Sequence, residues 1–375
     1  MDFFELTAEG LAGKLGQMGI KTPTEVQAAA IPAIKEGRDV VVQSATGTGK
    51  TLAYLLPLFA GFTRDIKGVQ AVVLAPTYEL AGQITNVARS LADRPADAAL
   101  IIGGANKARQ AEALKAKPKI VIGTAGRILE HVADRKLSMH HVGALVFDEA
   151  DRLFFAENIE PLAKLVKTTL AQRQILLFSS SITEAVLGLA LPLMKPEPAI
   201  IRQGGSVPQN IDHYYILSPR REKFEHLRRA IHALDARGIV FVNKPFTIER
   251  VCQRLNFHKL GAVPLFGAAQ MDKRKQALDA FRAGSARLLV ASDIGSRGLD
   301  VAGLNCIINL DMPESAADYL HRAGRCGRMG SKGAVVSIVT EAEAAVLKKF
   351  AAGLDIVAAE KVVVRGKMRE GRHGK

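Results

Sequence analysis

The stretch "DVVVQSATGTGKTLAYLLPLF", residues 39–59, gives the clearest indication of fold in the chain. Its β-branched start indicates a buried strand, its middle a glycine-containing turn, and its end a helix. The turn nearly matches the phosphate-loop pattern G-x-x-x-x-G-K-[ST], with Ser44, Gly49, Lys50 and Thr51 at the defined positions. Serine replaces the first glycine of the pattern and is also small. We therefore predict a strand, a phosphate loop and a helix in this order.

Each residue type in this loop has a chemical reason to be there. Gly47 and Gly49 let backbone amides approach phosphate oxygens, and the helix N-terminus adds further amides and a favourable dipole. Lys50 reaches the β- and γ-phosphates, and the Thr51 hydroxyl is a magnesium ligand. A glycine-rich turn without a ligand is the alternative, and the ordered set of strand, loop, lysine, hydroxyl and helix disfavours it. The predicted cofactors are ATP and Mg²⁺, and the predicted loop residues are Ser44, Ala45, Thr46, Gly47, Thr48, Gly49, Lys50 and Thr51.

A phosphate loop needs an acidic partner, and "ALVFDEAD", residues 144–151, provides one at the end of an apolar strand. Asp148 is placed to hold magnesium together with Thr51, and Glu149 to orient and activate the attacking water. Two adjacent carboxylates are often only a solvated loop. The preceding apolar strand and the phosphate loop upstream disfavour that alternative here.

Composition limits the class of protein. A chain of 375 residues fits two domains of about 150–200 residues each. The longest apolar runs are strand-length, so we expect no segment that spans a bilayer and no membrane partner. No signal peptide is visible, and three cysteines without a C-x-x-C pair indicate a reducing compartment, so we expect a cytoplasmic protein. An excess of 51 Lys+Arg over 37 Asp+Glu favours polyanionic partners, although a basic chain can also be merely soluble.

Short apolar runs alternate with helix-length amphipathic stretches along the whole chain, which is typical of parallel sheets covered by helices. The proline- and glycine-rich stretch 195–210 interrupts this pattern and indicates a linker. We therefore predict an α/β fold with an N-terminal ATP-binding domain over residues 1–203, a linker over 204–212 and a C-terminal domain over 213–357. The basic stretch 358–375 is predicted to be a mobile tail.

The segment "FDEADRLF", residues 147–154, strongly resembles the signature of the DEAD-box family of ATP-dependent RNA helicases. Further motifs of that family follow in family order over almost the whole chain: "GIKTPTEVQ" (19–27), "APTYELA" (75–81), "GG" (103–104), "TAGR" (124–127), "SSS" (179–181), "IVFVN" (239–243), "ASDIGSRGLD" (291–300) and "HRAGRCGR" (321–328). The resemblance implies two tandem RecA-like domains, each a mostly parallel sheet flanked by helices.

The resemblance also implies roles for individual residues. Gln27 and Thr22 would bind the adenine, Phe4 rather than Phe3 would stack on it, and Asp300 would contact the ribose. Ser179 and Ser181 would couple the ATP state to the RNA side. The implied RNA-binding residues are Pro76, Thr77, Gly104, Thr124, Arg127, Asn243, Arg274, Ser292 and Arg297.

Three arginines of "HRAGRCGR" recur at three-residue spacing, which places them on nearby faces of one helical turn. By resemblance, Arg325 and Arg328 are arginine fingers that stabilise the charge developing on the γ-phosphate. A surface arginine cluster that binds RNA phosphates without a role in hydrolysis is the alternative.

The sequence departs from the family pattern mainly on the RNA side. Tyr78 replaces an arginine, Ala125 a proline and Phe266 a frequent histidine, whereas Gln270 lies one residue early. The ATPase residues are complete, so RNA affinity is where we expect this chain to differ.

The predicted function is an RNA-dependent ATPase that locally unwinds short RNA duplexes or remodels ribonucleoproteins, with ATP hydrolysed in the interdomain cleft when RNA stabilises closure. The alternative is an ATP-gated RNA clamp or assembly chaperone with little unwinding. A DNA-directed helicase and a nucleotide-binding module without hydrolysis are further alternatives that the motifs disfavour. We expect a monomer that binds structured or single-stranded RNA with low sequence specificity, with ribosomal RNA and ribonucleoproteins as candidate substrates.

Overall fold

The computed structural model describes residue 3 and residues 9–45, 47–155, 159–203, 210–266, 271–296, 303–327 and 331–371. The chain divides into two compact units, Met1–Gly204 and Gly205–Lys375, and the division falls at the start of the predicted linker. Each unit contains one sheet with helices on both faces.

The first unit is built on a seven-stranded parallel sheet of order β3-β4-β2-β5-β6-β1-β7. Its strands are β1 (Val40–Ser44), β2 (Ala71–Leu74), β3 (Ala98–Ile101), β4 (Ile120–Gly123), β5 (Ala144–Asp148), β6 (Gln174–Ser179) and β7 (Ala199–Gln203). Its helices are α1 (Glu9–Gln17), α2 (Glu25–Lys35), α3 (Lys50–Gly61), α4 (Tyr78–Leu91), α5 (Lys107–Lys115), α6 (Ala125–Ala133), α7 (Ala150–Leu153), α8 (Ile159–Lys167) and α9 (Glu184–Ala190).

Alternation along β1 explains how one short strand supports two hydrophobic layers. Val40 and Val42 pack into the cluster on one face of the sheet, and Val41 packs into the cluster on the other. Strand β6 lies between β1 and β5, and all three are parallel. With neighbouring strands about 4.8 Å apart, the carboxyl ends of β1 and β5 lie at one edge, about 10 Å from each other. The sheet thus places Ser44 and Asp148 at the same edge.

The second unit contains an eight-stranded sheet of order β10-β11-β9-β12-β13-β8-β14-β15, parallel except for the last pair. Its strands are β8 (Ile211–Leu217), β9 (Gly238–Phe241), β10 (Ala262–Leu265), β11 (Leu288–Ala291), β12 (Cys306–Asn309), β13 (Gly333–Val339), β14 (Ala358–Val364) and β15 (Lys367–Glu370). Its helices are α10 (Lys223–Ala233), α11 (Ile248–Phe257), α12 (Met271–Arg282), α13 (Asp293–Ser296), α14 (Ala316–Ala323) and α15 (Glu341–Leu354).

The two α/β units with mostly parallel sheets confirm the predicted fold class. The prediction of a mobile tail is wrong for residues 358–371, because 358–360 pair with β8 and 361–364 pair with 367–370. The predicted linker stretch 195–210 contains β7, which pairs with β1, so that part of it belongs to the first sheet. Residues 211 and 212 of the predicted 204–212 linker already belong to β8. No helix in the described part of the chain is long and apolar enough to cross a bilayer.

Candidate active site

The phosphate loop leaves β1 at Ser44 and enters α3 at Lys50. Gly47 and Gly49 have φ of +82° and +89°, a left-handed backbone that favours glycine. A Cβ on Gly49 would lie 2.3 Å from Nε2 of Gln27, so a larger residue there would displace the Gln27 amide. The Ser44 hydroxyl donates to Oγ1 of Thr48 at 2.8 Å, and the Thr48 hydroxyl donates to the Ala45 carbonyl at 2.8 Å. Serine at the first position of the pattern therefore stabilises the loop through hydrogen bonds.

Lys50 lies inside this loop. Its Nζ donates to the carbonyl oxygens of Ser44 at 2.6 Å and Ala45 at 2.7 Å. Burial lowers the pKa of Lys50 to about 8, and the nearby carboxylates of Asp148 and Glu149 oppose that shift. The loop backbone thus holds the ammonium group. The phosphates of a nucleotide in this loop would meet two kinds of donor, the Lys50 ammonium and the backbone N–H groups.

Gln27 connects the glutamine motif to the phosphate loop. Its Oε1 accepts from the Thr24 backbone N–H at 2.9 Å at the start of α2, and its Nε2 donates to the Gly49 carbonyl at 3.1 Å. One N–H and one oxygen lone pair of the amide remain for a ligand. That donor and acceptor pair is what the edge of an adenine requires. Thr22 is exposed in the loop before α2.

Asp148 ends β5 and is 4% exposed. Its Oδ2 accepts from the Tyr54 hydroxyl at 2.8 Å, and its Oδ1 accepts from the Glu149 backbone N–H at 2.9 Å. Burial and the Glu149 carboxylate raise the pKa of Asp148 to about 6, whereas the Tyr54 bond and the Lys50 charge lower it. The carboxylate is therefore fixed in orientation beside Lys50. The sequence interpretation missed Tyr54, a buried hydroxyl in the apolar part of α3.

Thr51 and Asp148 fit a magnesium ion, because both offer the hard oxygen ligands that Mg²⁺ prefers. Each Asp148 oxygen uses one lone pair for the hydrogen bonds just described and keeps another. Glu149 follows in the left-handed conformation, with φ of +52° and ψ of +53°. Such a backbone is uncommon for a residue other than glycine and often marks a functional position.

The serine segment after β6 contacts the acidic segment after β5 directly. The Ser179 hydroxyl donates to Oδ1 of Asp151, and the Ser181 backbone N–H donates to Oγ of Ser179 at 3.2 Å. This contact connects the predicted coupling serines to the carboxylate cluster. Asp151 is the second residue that the sequence interpretation did not assign.

The aromatic residues near the N-terminus are described only in part. Phe3 is 3% exposed and packs in the hydrophobic core of the first unit. Phe4, predicted to stack on the adenine, and Thr46 of the loop lie outside the described residues.

The predicted RNA-contacting segments of the first unit end three strands at the same edge of the sheet. Pro76 and Thr77 follow β2, and the Thr77 hydroxyl accepts from the Leu80 N–H at 3.2 Å at the start of α4. Gly104 follows β3 with φ of +76°. Thr124 follows β4 at the start of α6. The sheet thus brings these segments together.

Arg127 and Thr124 contact residues 103–105, the loop that follows β3. The Arg127 guanidinium donates to the Ala105 carbonyl at 3.0 Å and lies 3.2 Å from the Glu130 carboxylate. Oγ1 of Thr124 accepts from the Gly103 N–H at 3.3 Å. Both side chains therefore position the loop around Gly104, which stays exposed.

In the second unit a buried arginine organises the corresponding edge. Arg322, in α14, is 1% exposed, and its guanidinium contacts the carboxylate of Asp293 with two bonds of 2.7 and 2.6 Å. It also lies 4.7 Å from the centre of the Phe241 ring. Three further acceptors complete its surroundings: Oδ1 of Asn309 at 3.1 Å, the carbonyl of Asp311 at 2.8 Å and Oδ1 of Asn243 at 2.9 Å.

This network corrects the expectation that three arginines share one helical turn. Helix α14 ends at Ala323, so Arg322 lies in the helix and Arg325 in the turn after it. Arg325 is also buried, at 8% exposed. The second predicted finger, Arg328, lies outside the described residues, as do Asp300 and Arg297.

Other predicted RNA-binding residues of this unit form hydrogen bonds to backbone groups of neighbouring segments. The Asn243 amide donates to the Met312 carbonyl at 2.9 Å in addition to accepting from Arg322. Arg274 is 4% exposed and donates to the carbonyls of Phe266, at 2.8 Å, and Gly295. Oγ of Ser292 accepts from the Gly295 N–H at 3.3 Å. This geometry favours positioning roles for Asn243 and Arg274.

Comparison with known proteins gives consistent matches over both units. The DEAD/DEAH box helicase model matches residues 24–188, and the helicase conserved C-terminal domain model matches residues 222–330. The chain is 40% identical over 354 residues to the DEAD-box ATP-dependent RNA helicase CshC of Bacillus cereus, covering 94% of this chain and 91% of that protein. It is 36% identical over 353 residues to the probable ATP-dependent RNA helicase YfmL of Bacillus subtilis, covering 94% of each.

Among solved structures, S. cerevisiae Dbp5 bound to RNA and ADP BeF3 matches with a TM-score of 0.85 and 24% identity, covering 96% of this chain and 95% of that chain. This likeness concerns the fold, and it confirms the predicted tandem RecA-like architecture.

Proposed function

Because the chain belongs to the DEAD-box family of ATP-dependent RNA helicases, we propose that it is an RNA-dependent ATPase that locally separates short RNA duplexes or remodels ribonucleoproteins. The observation that carries this proposal is the arrangement around Asp148. That carboxylate is oriented by Tyr54 and the Glu149 N–H, beside a lysine enclosed by the phosphate loop.

Within the first unit, each residue has one task in this mechanism. Gln27 binds the adenine edge, the loop amides and Lys50 hold the phosphates, and Glu149 orients and deprotonates the attacking water. Thr51 and Asp148 would hold Mg²⁺, which would supply positive charge against the negative charge that develops on the phosphates.

The second unit supplies the arginines. RNA that binds both units favours a closed form in which Arg325 and Arg328 reach the γ-phosphate, so hydrolysis depends on RNA. The Ser179–Asp151 contact supports a coupling role for the serine segment, since it joins that segment to the carboxylates that act on the nucleotide.

RNA contacts through the sugar–phosphate backbone carry little sequence information, which gives low specificity. We propose that the enzyme acts as a monomer in the cytoplasm, with ribosomal RNA or ribonucleoproteins among its substrates. The basic balance of +14 supports binding to polyanions of this kind.

A strand-displacement assay tests this function. The protein with ATP is expected to release the labelled strand of a short RNA duplex and to leave a much longer duplex intact. An ATP-gated clamp would instead retain RNA in the presence of ATP without releasing the strand. That outcome would overturn the unwinding part of the proposal.

Two variants assign the chemistry. Glu149→Gln is expected to lower the rate of hydrolysis by about two to four orders of magnitude and to leave nucleotide affinity unchanged. Arg325→Ala is expected to lower it by about three to five orders of magnitude. Arg221→Ala, at an arginine whose side chain is 88% exposed, is the matched control and is expected to hydrolyse ATP normally. Full activity of Arg325→Ala would refute its role as a finger.

A further inference from the structure

The carboxyl edge of the second sheet carries an exposed aromatic ring that no motif accounts for. Phe246 lies in a 3₁₀ turn, Pro245–Thr247, between β9 and α11. Its side chain is 78% exposed. Strand β9 is interior in the sheet, between β11 and β12. Ligands of α/β sheets bind outside the carboxyl ends of such strands, so this ring stands where a ligand is expected.

The turn that presents the ring is rigid. The backbone N–H and the hydroxyl of Thr247 both donate to the Lys244 carbonyl, at 2.9 and 2.7 Å. Just before the turn, the Asn243 backbone N–H donates to Asp311, and its side chain is held by Arg322. Pro245 fixes its own φ in addition. A ring on such a turn loses little conformational entropy when it binds a partner.

A cation accompanies the ring. Nζ of the exposed Lys244 lies 5.8 Å from the centre of the Phe246 ring. An aromatic face with an adjacent ammonium matches a nucleotide, in which a flat base is joined to a phosphate. A second pair of this kind, Lys273 and Phe266 at 5.3 Å, ends β10 at the same edge, but Phe266 is only partly exposed.

We propose that Phe246 stacks on a base of bound RNA while Lys244 contacts the adjoining phosphate, which adds a base contact to recognition through the backbone. This inference rests on the proposed function and deepens it. The stack would add RNA affinity in a chain in which Tyr78 stands where the family pattern has an arginine.

The chain offers a matched control for exposure. Phe257 ends α11, whose N-terminus follows Phe246, and its side chain is 84% exposed. A helix of ten residues is about 15 Å long. Because α11 returns from the end of β9 to the start of β10, Phe257 lies at the opposite edge of the sheet.

The test is the dissociation constant of a short fluorescent single-stranded RNA, measured by anisotropy with a non-hydrolysable ATP analogue at fixed salt. Phe246→Ala is expected to weaken binding about five- to tenfold, the low end of one base–aromatic stack. Phe246→Tyr is expected to restore it, and Phe257→Ala to leave it unchanged.

A backbone-only RNA of the same length, with abasic riboses at every position, separates stacking from other effects. On that RNA, Phe246→Ala and the unchanged protein are expected to bind alike, whereas Lys244→Ala is expected to weaken binding to both RNAs. Equal affinity of Phe246→Ala and the unchanged protein for the base-containing RNA would overturn the inference, as would equal losses on the two RNAs. If the unchanged protein bound neither RNA, the proposed function itself would fail.

Discussion

Replacing Arg322 by alanine tests whether the buried network of the second unit holds its carboxyl edge together. The side chain makes two bonds to Asp293 and three to neighbouring loop and strand oxygens, and it is almost completely enclosed. Removing it leaves the Asp293 carboxylate without its buried cation and several acceptors without a donor.

Breaking a buried ion pair in this way costs about 3–5 kcal/mol. For a unit of 150–250 residues, each kcal/mol corresponds to about 2–4 °C in Tm, so we expect a fall of about 6–20 °C. Arg322→Lys keeps the charge but loses the planar fork that bonds Asp293 twice, and we expect an intermediate fall.

Differential scanning calorimetry of the full chain measures the shift, and hydrogen exchange read by mass spectrometry assigns it to residues 205–375. Arg221→Ala is the matched control, because its 3.4 Å pair with Glu222 is exposed and contributes about 0–1 kcal/mol. If Arg322→Ala melted within 2 °C of Arg221→Ala, a shift below what 1 kcal/mol produces, the reasoning about this network would be refuted.

Three further changes test other contacts. Tyr54→Phe removes a hydrogen bond to the buried Asp148 carboxylate, so it is expected to destabilise the first unit by about 1.5–3 kcal/mol in urea unfolding; an unchanged midpoint would contradict this. Burial lowers the pKa of His213 to about 4, below the unfolded value of about 6.5. Because the unfolded chain then binds the proton more readily, the free energy of unfolding is highest above pH 6.5 and falls by about 3 kcal/mol as the pH is lowered to 4. In Tm measured against pH, His213→Gln should lack this acid-dependent fall, and the control His232→Gln, at an exposed histidine, should show it. Equal pH profiles for both variants would count against burial as the cause. Tyr78→Arg is expected to raise RNA affinity and to steepen the slope of log K against log salt by about 0.7; an unchanged or weaker RNA titration would speak against it.

The buried elements of both sheets were predictable from the sequence, because a parallel strand covered on both faces must be continuously apolar. The runs at residues 39–43, 70–75 and 143–147 show this, and each forms a strand. Four strands were not predicted. Strand β7 is a half-exposed edge strand, β10 contains Pro264, β14 is only partly buried, and β15 has charged residues at three of its four positions. Their pairing depends on neighbours far away in sequence.

The site was predictable where local chemistry defines it. The phosphate loop and the Asp148–Glu149 pair each follow a strand of a parallel sheet. Because parallel strands have their carboxyl ends at the same edge of the sheet, the two segments lie at one edge. The contacts of Tyr54 with Asp148 and of Ser179 with Asp151 join residues 94 and 28 positions apart. No local pattern specifies such contacts, because they arise from the packing of α3 against β5 and of α7 against β6.

Steady-state ATP hydrolysis, measured without nucleic acid, with a generic single-stranded RNA and with DNA of the same sequence, tests the proposed coupling of RNA binding to catalysis. The account predicts slow hydrolysis alone and with DNA, and strong stimulation by RNA. Rapid hydrolysis without RNA would contradict it, because the arginines of the second unit would then act without RNA. Equal stimulation by DNA, or no hydrolysis under any of the three conditions, would contradict it as well.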